Sequence, residues 1–146
     1  MTTLLAIDDE PKNLKLICMY LADTDYTVLT ATNGLEGWNV LTEAPSPIDV
    51  ILLDRMMPVM DGMAFMGKLR ADPTFANLPV IMQTAAAETN QVAEGIRTGV
   101  FYYLTKPYDG EVLLSIVQAA LQHHGAHLEL RTEVKKYKRM LGLITE

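Results

Sequence analysis

VILLDRMMPVMDG, residues 50 to 62, is the stretch whose reading decides the fold. Four apolar residues, Val50, Ile51, Leu52 and Leu53, run straight into Asp54. A short continuous apolar run of this kind reads as a strand buried on both faces, spanning Ile48 to Leu53. An unpaired carboxylate in such surroundings loses about several kcal/mol of hydration. Its place at the mouth of a buried strand therefore asks for a chemical reason, and the rest of the chain supplies one.

Outward from that run, short apolar segments alternate with helix-period segments. Thr3 to Ile7 reads as a strand. Pro11 to Leu21 reads as a helix, with the proline in the first turn, where its missing N–H costs nothing, and Leu14, Ile17, Cys18 and Leu21 as the apolar face. Tyr26 to Ala31 is β-branched and aromatic, a second strand. Asn33 is placed to cap a helix carrying Leu35, Trp38 and Leu41. Gly62 to Arg70 is a third helix with Phe65, Met66 and Leu69 inward. Val80 to Gln83 is a fourth strand, and residues 88 to 98 a fourth helix with Val92 and Ile96 inward and Gly99 as its stop. Phe101 to Leu104 is a fifth strand, and Asp109 opens a last helix. Five βα units in sequence imply an α/β fold with a doubly wound parallel sheet, since parallel strands need right-handed crossovers.

Composition narrows the function. The 146 residues suit one domain with a sizeable core. With 49% hydrophobic and 21% charged residues, the chain reads as globular rather than disordered. A net charge of −6 argues against general nucleic-acid or anionic-membrane binding. The lone Cys18 excludes an internal disulfide and points to a reducing compartment. The start carries no basic leader, and no apolar run reaches the roughly 20 residues of a membrane helix. A cytoplasmic location is the expectation.

Ligands of open parallel sheets bind beyond the carboxyl ends of the strands. Those ends carry Asp8 and Asp9, then Asp54, then Thr84, then Lys106 followed by Pro107. Three converging carboxylates repel one another strongly unless a hard divalent cation lies among them. Lys106 can neutralise one oxygen as a compact point charge. An aspartate beside a cation and an ammonium is a competent nucleophile toward phosphorus. Asp54 is then at the strand mouth because it must be held rigidly and still meet solvent.

With Asp8-Asp9-Glu10, ILLDRMMPVMDG, Thr84-Ala85 and Tyr103-Leu104-Thr105-Lys106-Pro107 in order at strand ends, the chain resembles the receiver domains of two-component response regulators, the CheY-like superfamily. The resemblance covers about residues 1 to 124 and leaves 125 to 146 as a helical tail or linker toward an output domain. It implies a flavodoxin-like (βα)5 sheet of strand order 2-1-3-4-5. It implies Asp54 as phosphoacceptor from a histidine kinase or phosphotransfer protein. Mg²⁺, or Mn²⁺, would be held by Asp9, Asp54 and the main-chain carbonyl of Met56, with Asp8 acting through water. Lys106 would pair with the phosphoryl group, and Thr84 with its neighbour Ala85 would close on it. Tyr103 would turn inward in concert, altering the surface of the fourth helix, fifth strand and fifth helix. Pro107 would be a candidate for a cis peptide.

Met56 and Ala86 stand two residues beyond Asp54 and Thr84, where the family tunes the attacking water, and neither can orient water. Slow self-dephosphorylation is expected, and no enzymatic activity beyond self-directed phosphotransfer. A haloacid-dehalogenase-like phosphohydrolase also uses an aspartate at a strand end, but needs a second acid where Met56 stands. A receiver that only binds, never phosphorylated, is the other alternative.

The remaining features read plainly. Met56, Met57, Met60, Met63 and Met66 are gap-fillers. His123 and His127 lie on a solvated helix face, as does the run KKYKR. Phe101 and Tyr102 either pack against the fourth helix or form a partner patch. Leu130, Val134, Tyr137, Leu141 and Ile144 step by 4, 3, 4 and 3, a heptad seam of about two repeats. The end GLITE carries no evident cap, which suggests a helix running on toward further sequence. A homodimer through the tail, or through the surface around the fifth strand, is expected.

Overall fold

The computed structural model describes residues 2–85 and 99–143, with 126–129 and 131 described only as backbone. Five strands, β1 (Thr3–Ile7), β2 (Thr27–Ala31), β3 (Val50–Asp54), β4 (Val80–Thr84) and β5 (Tyr102–Thr105), form one parallel sheet in the order β2-β1-β3-β4-β5. The described helices are α1 (Pro11–Tyr20), α2 (Gly34–Glu43), α3 (Gly62–Ala71) and α4 (Gly110–Met140). The expected helix at 88 to 98, with Val92 and Ile96, lies outside the described residues.

All residues of β1, β3 and β4 are buried, because helices cover both faces of the sheet. Side chains alternate between the two layers. Leu4, Ala6, Val50, Leu52 and Ile81 pack with α1 and α4, while Leu5, Ile7, Ile51, Leu53 and Met82 pack with α2 and α3. The third strand starts and ends later than the apolar run suggests. Asp49 stands before it and accepts a bond from the Thr3 N–H at 2.8 Å. Asp54 is inside the ladder, paired in register with Gln83.

Two helix faces differ from their expected composition. Cys18 is exposed, because Leu14, Ile17 and Leu21 already form the narrow stripe that meets the sheet. Leu35 is exposed too. The α2 helix approaches through Gly37, where a Cβ would fall 2.4 Å from Ile7 Cδ1. Trp38 meets Phe65 and Phe75 edge-on, at centroid distances of 6.0 and 5.8 Å. The caps follow the chemistry of the termini: Asn33 Oδ1 accepts from Glu36 N at 2.8 Å and Asp61 Oδ1 from Ala64 N at 2.9 Å.

The aromatic triplet divides. Phe101 packs on the α4 side, 5.4 Å from the His123 ring, Tyr102 is exposed, and Tyr103 is half-buried toward α2 and α3. From the last turn of α3, Arg70 gathers the carbonyls of Ala76 (2.7 Å), Leu78 (2.9 Å) and Gly99 (2.7 Å).

The last helix runs unbroken for 31 residues, about 47 Å at 1.5 Å per residue. Its end is capped, contrary to the reading of GLITE. Gly142 takes φ +72°, Leu143 N donates to Lys138 O at 2.9 Å, and Gly142 N to Arg139 O at 3.0 Å. That pair of bonds is a Schellman motif, and it needs the glycine because only glycine enters the left-handed region freely. Leu130, Val134, Tyr137 and Leu141 of the seam are exposed, and Ile144 lies outside the described residues.

Candidate functional site

The carboxyl edge of the sheet is built by backbone ladders that end in polar side chains. Asp8 follows β1, bonds the Ala31 carbonyl through its N–H at 3.0 Å, and accepts from Glu10 N on Oδ1 at 2.9 Å. Asp8 is fully buried, Asp9 beside it is exposed, and Asp54 closes β3 almost buried. Carboxylate oxygens of the three lie within 4.8 Å of one another. Lys106 reaches them from the loop after β5, its Nζ 2.9 Å from Asp8 Oδ2 and 3.4 Å from Asp54 Oδ1. Three hard oxygen donors with a single ammonium beside them leave excess negative charge, and that donor set fits a hard divalent cation such as Mg²⁺ or Mn²⁺.

Electrostatics agree with this excess. Burial, and then the Asp8 charge, push the Asp54 carboxyl up from 3.8 to about 6, against the opposing pull of Lys106. Burial lowers Lys106, but its bond to Asp8 and the charges of Asp54 and Asp8 outweigh that and hold it above the ordinary lysine value. The site therefore contains a firmly charged ammonium shared unequally between two carboxylates.

The loop after Asp54 is clamped on both sides. Arg55 N donates to Gln83 O at 2.9 Å and Gly62 N to Arg55 O at 2.8 Å. A Cβ on Gly62 would fall 2.6 Å from Asp54 O, and one on Gly34 2.3 Å from Met60 O. Val59 takes φ +71°, and Met60 N reaches Pro58 O at 2.8 Å, closing a γ-turn of the rare positive-φ sense. A β-branched residue there is strained and persists only because its surroundings over-determine it. Met56 projects into solvent at the front of the site, whereas Met57 and Met66 are buried and Met60 and Met63 pack on the core.

Thr84 is buried at the end of β4, and its carbonyl accepts from Lys106 N at 2.6 Å. Ala85 is exposed and, with Lys106, Pro107, Tyr108 and Tyr20, borders a cavity of about 420 Å³. The Lys106–Pro107 peptide is cis. Tyr103 pairs in register with Met82, one strand position before Leu104. Among the described residues no metal-type cluster other than the aspartate triad is present, and the His123 ring lies tilted against Phe101.

Two site neighbours escaped the sequence reading. Gln83 is fully buried, and its Oε1 accepts a hydrogen bond from the Tyr108 hydroxyl. Burial, and then the Asp8 charge, push the Tyr108 hydroxyl well above its ordinary value, so it stays a donor. The available signal is the glutamine that directly follows the apolar run VIM at the end of the fourth strand.

Comparison with known proteins places this geometry. Sensor histidine kinase CheAY of Helicobacter pylori is 38% identical over 121 residues, 83% of this chain and 15% of that protein. Response regulator Rre1 of Synechocystis sp. is 34% identical over 139 residues, 94% of this chain and 59% of that one. The chain thus spans less than two thirds of the length of these relatives. The solved structure of the chemotaxis response regulator CheY4 of Vibrio cholerae superposes with a TM-score of 0.76 at 32% identity, over 83% of this chain and 99% of the other. The response regulator receiver domain profile matches residues 4–118, and the chain belongs to that family: it is a receiver module of two-component signalling.

Proposed function

We propose that Asp54 is the phosphoacceptor of this receiver. The observation that carries the reading is a single carboxylate at the end of a central strand, nearly buried yet open at its tip, beside Lys106 and two further aspartates. An Asp54 oxygen forms a P–O bond as the P–N bond of a phosphohistidine breaks, and the leaving imidazole takes a proton from solvent. Lys106 moves from carboxylate to phosphoryl oxygen and steadies the charge there. Asp9, Asp54 and the Met56 carbonyl would hold Mg²⁺ or Mn²⁺, with Asp8 acting through water. When bound, the cation supplies positive charge to the transferring group.

The aspartyl-phosphate adds about −1.5 to −2 charge and new acceptor oxygens. Thr84 donates to them, with the Ala85 N–H beside it, and Tyr103 follows inward. Two packings of the β4–β5 edge result, biased by one covalent event. Met56 at the front, and Ala86 outside the described residues, offer no group to orient water, so the phosphoryl group is long-lived. The test is mobility on a phosphate-affinity gel after acetyl phosphate and Mg²⁺. A shifted band in wild type, absent in Asp54→Ala and abolished by chelator, supports the reading. No shift in wild type overturns it, and loss of the phosphoryl group within seconds overturns the long lifetime.

Residues 1–124 are the switch on this reading, and 125–146 a tail that carries the change onward in the cytoplasm. The upstream partner is a histidine kinase or phosphotransfer protein. The downstream partner is a second copy, in a parallel coiled coil of the tail. Val134 at an a position and Leu130 at a d position suit two strands, and Glu133 at g faces Lys138 at e of the other copy only in the parallel arrangement.

A further inference from the structure

We propose that Gln83 and Tyr108 are positioning residues for phosphoryl uptake, a buried strap that holds the Lys106 loop over Asp54. The inference rests on Asp54 being the phosphoacceptor. Strand alternation and register set Asp54 and Gln83 side by side on the same sheet face, in adjacent strands. Lys106 lies between two ties to β4. Its own N–H bonds the Thr84 carbonyl, and two residues on, the Tyr108 hydroxyl bonds the Gln83 side chain. The Tyr108 ring packs against the core on the α1 and α4 side and meets the tilted ring of Tyr20, 6.4 Å away between centroids, beside the cavity. The backbone tie fixes where the loop leaves the strand. The side-chain tie fixes its return, and so where the Lys106 ammonium stands between Asp8 and Asp54.

Gln83 is an expensive choice for packing alone. It is fully buried, and its Nε2 has no partner among the described residues. An apolar residue of equal volume would avoid that orphaned donor. A buried polar group retained at a cost, with its acceptor oxygen on the loop of the site's only described ammonium, is a group kept for geometry. Misplacing a reacting group by about 1 Å costs up to about a hundredfold in rate, which is the lever the strap controls.

The experiment compares wild type with Gln83→Met, Tyr108→Phe and the double variant in the full chain. It measures the rate of acetyl-phosphate phosphorylation with saturating Mg²⁺ and, separately, thermal stability and Mg²⁺ affinity by calorimetry. Each single variant is expected to lose stability. The double variant replaces both polar partners with apolar groups and is expected to regain most of it. Phosphorylation is nevertheless expected to be at least about fivefold slower in the double variant, with Mg²⁺ affinity within twofold of wild type. A double variant that phosphorylates less than fivefold slower overturns the strap as a positioning device and leaves it a packing pair. Loss of rate that tracks loss of Mg²⁺ affinity overturns it as well. A wild type that takes up no phosphoryl group is a different failure, of Asp54 as acceptor, and removes the inference with it.

Discussion

Asp54 holds its proton more tightly in the fold than in the unfolded chain, about 6 against 3.8. The sign of the pH dependence follows. Between those values the native state binds more protons than the unfolded state, so this group lowers stability as pH rises through the window. Above about 6 both states are ionised, and the penalty is complete. Asp54→Asn is therefore expected to be more stable than wild type in chelator at pH 7 to 8, by roughly 1–3 kcal/mol. The gain should shrink toward zero near pH 4. Urea unfolding at several pH values checks this, and equal stabilities at pH 7.5 would contradict the burial argument. At this scale Asp8, Asp9, Asp54 and Lys106 were legible from sequence, because strand ends of a parallel sheet share one edge. Gln83 and Tyr108 were not, because the bond between them spans 25 residues and depends on where the loop returns.

At the scale of elements, single side chains decide how segments are joined. Arg70 collects three carbonyls that lie outside the strands, tying the loop before β4 to the approach of β5. Its planar fork makes those bonds together, and a lysine cannot. Arg70→Ala is expected to cost about 2–4 kcal/mol, with Arg70→Lys recovering less than half; chemical denaturation of the three proteins measures it. The tail makes the opposite point, since the described residues of its apolar seam, Leu130, Val134, Tyr137 and Leu141, are exposed. Sedimentation at rising concentration is expected to show reversible self-association that Glu133→Lys weakens and Glu133→Lys with Lys138→Glu restores. A monomer at every concentration, phosphorylated or not, would remove the coiled coil. The sequence reading had the seam and missed the stop at Gly142, because a left-handed cap is recognised by its φ and its two backbone bonds rather than by the residues GLITE alone.

Across the whole molecule, the ends of two strands far apart in the chain, β1 and β3, bring three carboxylates to one place, and that repulsion is the counterpart of cation binding. A ligand that binds only the native state raises stability by mass action, about 2.7 kcal/mol at a hundredfold excess over its dissociation constant. Wild type is therefore expected to melt at a higher temperature with millimolar Mg²⁺ than in chelator. Asp9→Ala is expected to lose most of that gain while remaining folded, since Asp9 is exposed. A thermal melt with and without Mg²⁺ reads this, and an undiminished shift in Asp9→Ala would exclude Asp9 as a ligand.

The sequence by itself determined the class of fold, the number of strands and the composition of the acidic edge. Those follow from local periodicity and from turn residues, which act over a few positions. The limits of β3 differ by one or two residues from the apolar run, since Asp49 stands before the strand bonded to Thr3 and Asp54 joins the ladder beside Gln83. Tertiary structure alone decided that Cys18 and Leu35 face outward, that Gly37 is the point of closest approach for α2, and that Phe101 leans on α4. It alone decided that Val59 is held in a strained turn and that Gln83 meets Tyr108. Each of these depends on which surfaces are pressed together after the sheet closes, and burial, close approach and long-range hydrogen bonds have no counterpart in the order of residues along the chain.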